Sequence, residues 1–87
     1  FTSREAAMTL ANYARIFEHT QRWEEAWSIL EEAIQLMVCG RDKGSPETVT
    51  LLREAAELQQ KRGRIQEASV LRDDANMIER QWHQRPR

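Results

Sequence analysis

The sequence predicts an all-α fold of four helices, arranged as two antiparallel helical hairpins stacked on each other as a short α-solenoid. Three observations predict it. The stretch RWEEAWSILEEA (Arg22 to Ala33) is echoed 42 residues later by RIQEASVLRDDA (Arg64 to Ala75), and an echo at that period marks a repeated helical unit. Apolar residues recur at the three- and four-residue spacing of a helix face. Gly40, Pro46 and Gly63 stand where such helices would stop or start.

The echo extends beyond one motif. At an offset of 42 residues Ser3 pairs with Ser45, Glu5 with Glu47, Leu10 with Leu52, Ala14 with Ala56, Arg22 with Arg64, Glu25 with Glu67, Ala26 with Ala68 and Ala33 with Ala75, which makes 8 identities in 45 pairs. The alanine pairs carry the most structural meaning, because a small residue on a packed face lets two helix axes approach closely.

The first helix is expected to start after Thr2 or Ser3, since Thr2 and Glu5 have capping-box spacing. Leu10, Tyr13, Ala14 and Phe17 then share a face, and the helix stops near Thr20. A second helix runs from about Arg22 to Cys39 behind the wide stripe of Trp23, Ala26, Trp27, Leu30, Ala33, Ile34 and Met37, with Gly40 as its C-terminal cap. The loop Arg41 to Ser45 follows. Ser45, Pro46 and Glu47 form a helix start: serine caps free amides, proline at the first position loses no bond, and the acid favours the dipole. The third helix carries Val49, Leu52, Ala55 and Ala56 to about Arg62, where Gly63 breaks it. The fourth begins near Arg64 and continues to about His83 on a narrower stripe of Ile65, Ala68, Leu71, Ala75, Ile78 and Trp82. One domain of residues 1–87 results, with hairpins at about 3–39 and 46–83.

Composition removes several function classes. The net charge is −1, the halves are similarly balanced, and no nucleic-acid footprint stands out. The densest basic run, Lys61, Arg62 and Arg64, reads as a solvated surface. No apolar run approaches the roughly 20 residues of a membrane span. A lone cysteine, Cys39, cannot pair internally and points to a reducing compartment, the cytoplasm. His19 and His83 lack metal-ligand spacing, Cys39 has no visible base, and the acid pairs lie opposite the apolar stripes, so no catalysis, metal or cofactor is expected.

These residues resemble the tetratricopeptide repeat, in the 42-residue variety of kinesin light chains. LANYARIF supplies Leu10, Ala14 and Phe17, WEEA supplies Trp23, Glu25 and Ala26, and Ala33 follows; the second copy gives Leu52, Ala56, Gly63, Ile65, Glu67, Ala68 and Ala75. The linker GSPETV (Gly44 to Val49) is similar to the family's inter-repeat loop. Departures are Gln21 where the turn glycine is usual, Gln59 for an aromatic and Arg72 for a large apolar residue. The resemblance covers roughly residues 7–80 and implies a short right-handed superhelix. With the narrow fourth stripe, the departures make the second hairpin an expected end cap. Two repeats, fewer than such folds usually need, and a first residue Phe1 suggest a segment of a longer protein.

The resemblance also implies a function: a scaffold or adaptor module that binds a peptide or partner domain on a concave face lined by the first helix of each hairpin. Off the packing stripe, Met8, Ala11, Asn12, Arg15 and His19 would face a ligand, with Thr50, Arg53, Glu57, Gln60 and Lys61 from the second copy. Asn12 matches an asparagine that family members use on peptide backbone, whereas the second copy has Glu54 there. Arg15, Arg53 and Lys61 together suit an acidic segment or a terminal carboxylate. The alternative is self-association or structural packing within a larger solenoid, with Trp27 and Trp82 as candidate interface residues. A regulatory segment of a larger enzyme or sensor, or an adaptor similar to the attachment proteins of vesicle fusion, which stack comparable hairpins, is a further reading.

Overall fold

The computed structural model describes residues 3–39 and 44–84. They form α1 (Ser3–His19), α2 (Trp23–Val38), α3 (Pro46–Lys61) and α4 (Ile65–Gln84). Helices adjacent in sequence pack on each other, giving hairpins α1–α2 and α3–α4 with α3 laid against the first hairpin. The expected boundaries hold to within a residue or two, Arg22 and Cys39 being the caps of α2 rather than members of it. The expected caps at Thr2 and Gly40, the loop residues 41–43, the tail beyond Gln84 and the side chain of His83 lie outside the described residues.

The repeat is visible in the backbone itself. In the first turn the Arg22 amide donates to the Phe17 carbonyl at 2.9 Å and Gln21 to Glu18 at 3.0 Å; in the second, Arg64 donates to Gln59 at 2.8 Å and Gly63 to Gln60 at 3.0 Å. Both turns use one left-handed residue, Gln21 at φ 61° and Gly63 at φ 80°. The departure noted at Gln21 therefore keeps the geometry and changes only the residue that bears it. Ser45 caps α3 through Oγ, which accepts the Thr48 amide at 3.3 Å, with Pro46 at the first position. Arg22 offers α2 no such side-chain bond.

The core follows the alanines. Ala7, Ala11, Ala14, Ala26, Leu30, Ala33 and Met37 of hairpin one join Leu51, Ala55 and Leu58 of α3 in one buried cluster. A smaller cluster of Val49, Leu52 and Ala75 is flanked by Ile34, Leu71, Ile78 and Trp82.

Two expected stripes are rotated. Tyr13, expected on the packing face of α1, is 55% exposed, while Ala11, expected to face a ligand, is 2% exposed. The reason is that α1 has two neighbours: it packs on α2, while Arg4, Arg15 and Glu18 pair with residues of α3, and Ala11, in the same three- and four-residue register, lies in one buried cluster with Leu51, Ala55 and Leu58 of α3. Ile65, expected on the α4 stripe, is likewise 58% exposed.

Candidate functional site

α1 and α3 meet along a seam stitched by charge. Arg4 pairs with Glu47, Arg15 with Glu54, and Lys61 approaches Glu18 at 3.9 Å. All three pairs are partly solvated, so each contributes at most about 1 kcal/mol. Their value here is positional.

The expected contact residues distribute unevenly about that seam. Asn12, Arg15, His19, Thr50, Arg53, Glu57, Gln60 and Lys61 are exposed, and Met8 and Ala11 are packed instead. Asn12 Oδ1 accepts from Arg15 Nη1 at 2.9 Å, and the other end of the same guanidinium holds Glu54. The position that carries asparagine in the first copy and glutamate in the second is thereby joined through one arginine. Arg53 does not converge with Arg15: it turns to α4 and pairs with Glu79. Lys61 Nζ lies 5.4 Å from the centre of the Trp23 ring as well as near Glu18.

Electrostatics mark the same seam. Burial raises the Glu18 pKa above the ordinary value of 4.5, Lys61 works against the shift, and Glu54 and Glu57 add to it. A hydrogen bond within Glu47, at the start of α3, lowers its pKa, with further help from Arg4 and Ser45. Glu18, Glu54 and Glu57 gather against Arg15 and Lys61, so the seam carries charges of both signs.

A second cluster lies where the hairpins meet, and sequence reading missed it. Arg62, expected to be solvated, has a side chain only 6% exposed. Its Nε and Nη2 donate to the two carboxylate oxygens of Glu24 at 3.0 and 2.7 Å, and Nη1 donates to Gln59 Oε1. Its guanidinium carbon stands 5.6 Å from the Trp27 ring centre. The bond from Arg62 lowers the Glu24 pKa. Gln59, read as the loss of an aromatic, is buried as a partner of this arginine. The available signal was Gln59 itself, a polar residue on a line of buried positions.

The two tryptophans singled out for an interface are engaged within the chain. Trp27 packs on the larger core cluster beneath Arg62. Trp82 packs beside Val49, Leu52 and Ala75, and its Nε1 donates to the Gly44 carbonyl at 2.6 Å. Cys39 is exposed. Among the described residues no group of His, Cys, Asp and Glu side chains is placed to hold a metal, and no helix is long and apolar enough to cross a membrane.

A family model described as tetratricopeptide repeat matches residues 5–71. No curated protein and no solved structure matches the chain.

Proposed function

Because the chain belongs to the tetratricopeptide repeat family, we propose that it binds an extended peptide or a partner domain along the α1–α3 face and performs no chemistry of its own. Repeats of this family generally mediate protein–protein interaction. The observation that supports this face is the joined set of Asn12, Arg15 and Glu54, whose polar ends lie exposed or half-buried across the seam between the hairpins. A side-chain amide beside a carboxylate offers an acceptor and donor pair to peptide backbone. His19, Glu57 and Lys61 extend the face toward the turn end, and Thr50 and Arg53 widen it along α3.

The charge arrangement favours backbone recognition over capture of an acidic segment. An acidic ligand would have to displace Glu54 from Arg15 and Glu79 from Arg53, leaving two carboxylates without their partners. Lys61, with its long contact to Glu18, is freer to turn to a ligand acid. Within the cytoplasm the exposed Cys39 would remain a thiol.

Selection of binding peptides from a displayed random library tests this reading. Peptides selected on the native chain should lose about tenfold or more in affinity on Asn12→Ala and on Arg15→Glu, the cost of one or two directed hydrogen bonds. Undiminished binding to both variants would move the site elsewhere.

The rival reading, a self-stacking element, is supported by exposed apolar side chains at opposite ends of the stack, Tyr13 and Ile16 on α1 and Val70 and Met77 on α4. Mass in solution over a range of concentrations separates the two. A monomer at every concentration excludes the stacking reading and leaves the binding one intact.

A further inference from the structure

We propose that Arg62 is the latch that fixes the angle between the two hairpins and, through that angle, the width of the α1–α3 groove. The statement about the angle stands alone; the statement about the groove rests on the binding face proposed above.

The geometry is that of a hinge held at both ends. At one end the segment with Gly44 and Ser45 leads into α3, and there the Trp82 indole holds the Gly44 carbonyl and Ser45 caps the helix. α3 then runs 16 residues, about 24 Å, away from that point. At its far end Arg62 reaches back across the hairpin boundary to Glu24 and Trp27 of α2, while Gln59 of its own helix holds the third nitrogen.

The chemistry of this contact constrains direction as well as distance. A fork of two parallel N–H bonds to both oxygens of one carboxylate is satisfied only in a shared plane. Contacts between alanines and leucines along the rest of the interface carry no comparable directional demand. The exposed pairs of Arg4 with Glu47 and of Arg15 with Glu54 can follow a change of angle by rotating in water. Arg62 cannot: a guanidinium drawn off Glu24 while still buried is a charge without its partner, so partly opened arrangements are disfavoured. Closure is therefore close to all-or-none. Because α1 moves with α2, any opening at this end also separates Glu18 from Lys61 and loosens the groove.

The test uses the whole chain with Cys39→Ser and nitroxide labels at Ile16→Cys and Gln66→Cys, two exposed sites toward the turn end on the first and last helices and outside the proposed binding face. Distances between the labels are read by double electron–electron resonance in three backgrounds: native, Arg62→Met and Glu24→Gln. Arg62→Met keeps side-chain bulk and removes the fork, and should roughly double the width of the distance distribution while circular dichroism shows helicity retained. Glu24→Gln alters an exposed side chain, and should broaden the distribution by a smaller amount. A native-like distribution in a helical Arg62→Met protein overturns the latch. Should Arg62→Met lose its helices, Glu24→Gln decides: a native-like distribution there makes Arg62 a packing residue only. Broadened distances with unchanged affinity for a peptide selected on the native chain would keep the hinge and overturn its control of the groove.

Discussion

α2 and α4 hold equivalent places in the two hairpins, yet α2 buries Ala26, Leu30, Ala33 and Met37 whereas α4 buries Ala68 and Ala75. The alanines coincide at the 42-residue offset; the difference lies between and just beyond them, where Leu30 becomes Arg72 and Met37 becomes Glu79. The neighbours change in concert. Ala11, buried in the first hairpin, becomes Arg53, and Arg53 pairs with Glu79; Glu18 becomes Gln60, and Gln60 accepts from Arg72. Positions that α3 covers in hairpin one carry mutually satisfied polar groups in hairpin two, where water covers them. The alanines thus encode contact within a hairpin, and the positions between them encode what lies over it.

The most forceful way to break that comparison is to empty both positions. Leu30→Ala should destabilise the chain by about 3 kcal/mol, the transfer and cavity cost of a fully buried leucine. Arg72→Ala, at the equivalent site, should stay within about 0.5 kcal/mol because the residue is exposed. Urea unfolding midpoints of the two variants measure the contrast directly, and equal losses would show that the outer face of α4 is covered in solution.

The turns sharpen it next. Gly63→Gln should cost about 1 kcal/mol, because a side chain at positive φ brings Cβ toward the following carbonyl. The reciprocal change Gln21→Gly should gain roughly half as much, since relief of that clash is partly offset by the greater unfolded-state freedom of glycine. Thermal midpoints moving in opposite directions would establish that the two turns are one device with one better residue. A similar asymmetry holds at the helix starts: Ser45→Ala should lose about 1 kcal/mol by uncapping α3. Arg22→Ala removes no cap and should lose only the contributions of its ion pair with Glu25 and its stacking over Phe17.

Most of the fold was legible because the chain carries local signals: a Ser-Pro-Glu start at residue 45, Gly63 at the second turn, and alanines at a fixed offset. Tyr13 and Ala11 were misplaced for one physical reason. Periodicity weights a side chain by its size and apolarity, so tyrosine outranks alanine, but a helix with neighbours on two sides selects small residues at the line of closest approach. Arg62 was illegible for another. Its burial depends on Glu24 and Trp27, which stand 38 and 35 residues away in the sequence, and no local pattern links them. The binding face was legible as a set of helix positions but not as a charge arrangement, because the pairing of Arg15 with Glu54 and of Arg53 with Glu79 depends on how the helices are placed.

The smallest expected effect is on pH dependence, and it separates the latch from the seam. Glu24 has its pKa lowered by the bond from Arg62, so its contribution to stability is complete above the ordinary value of 4.5 and is lost as pH falls through the lowered folded value. Glu18 behaves oppositely. Burial raises its pKa, so its contribution is complete below 4.5 and is lost as pH rises through the raised folded value. Acidifying from neutrality should therefore first relieve Glu18, and only at lower pH release Glu24 from Arg62. Because both carboxylates reach water, the two effects are modest and screened by salt. Stability followed by urea unfolding across this range should lose its first, favourable component in Glu18→Gln and part of its later, unfavourable component in Glu24→Gln. If Glu24→Gln leaves the acid limb unchanged, the carboxylate of Glu24 is not ionised and paired in the native state, and the contrast between an ordered inter-hairpin contact and a fluid seam fails at its most specific point.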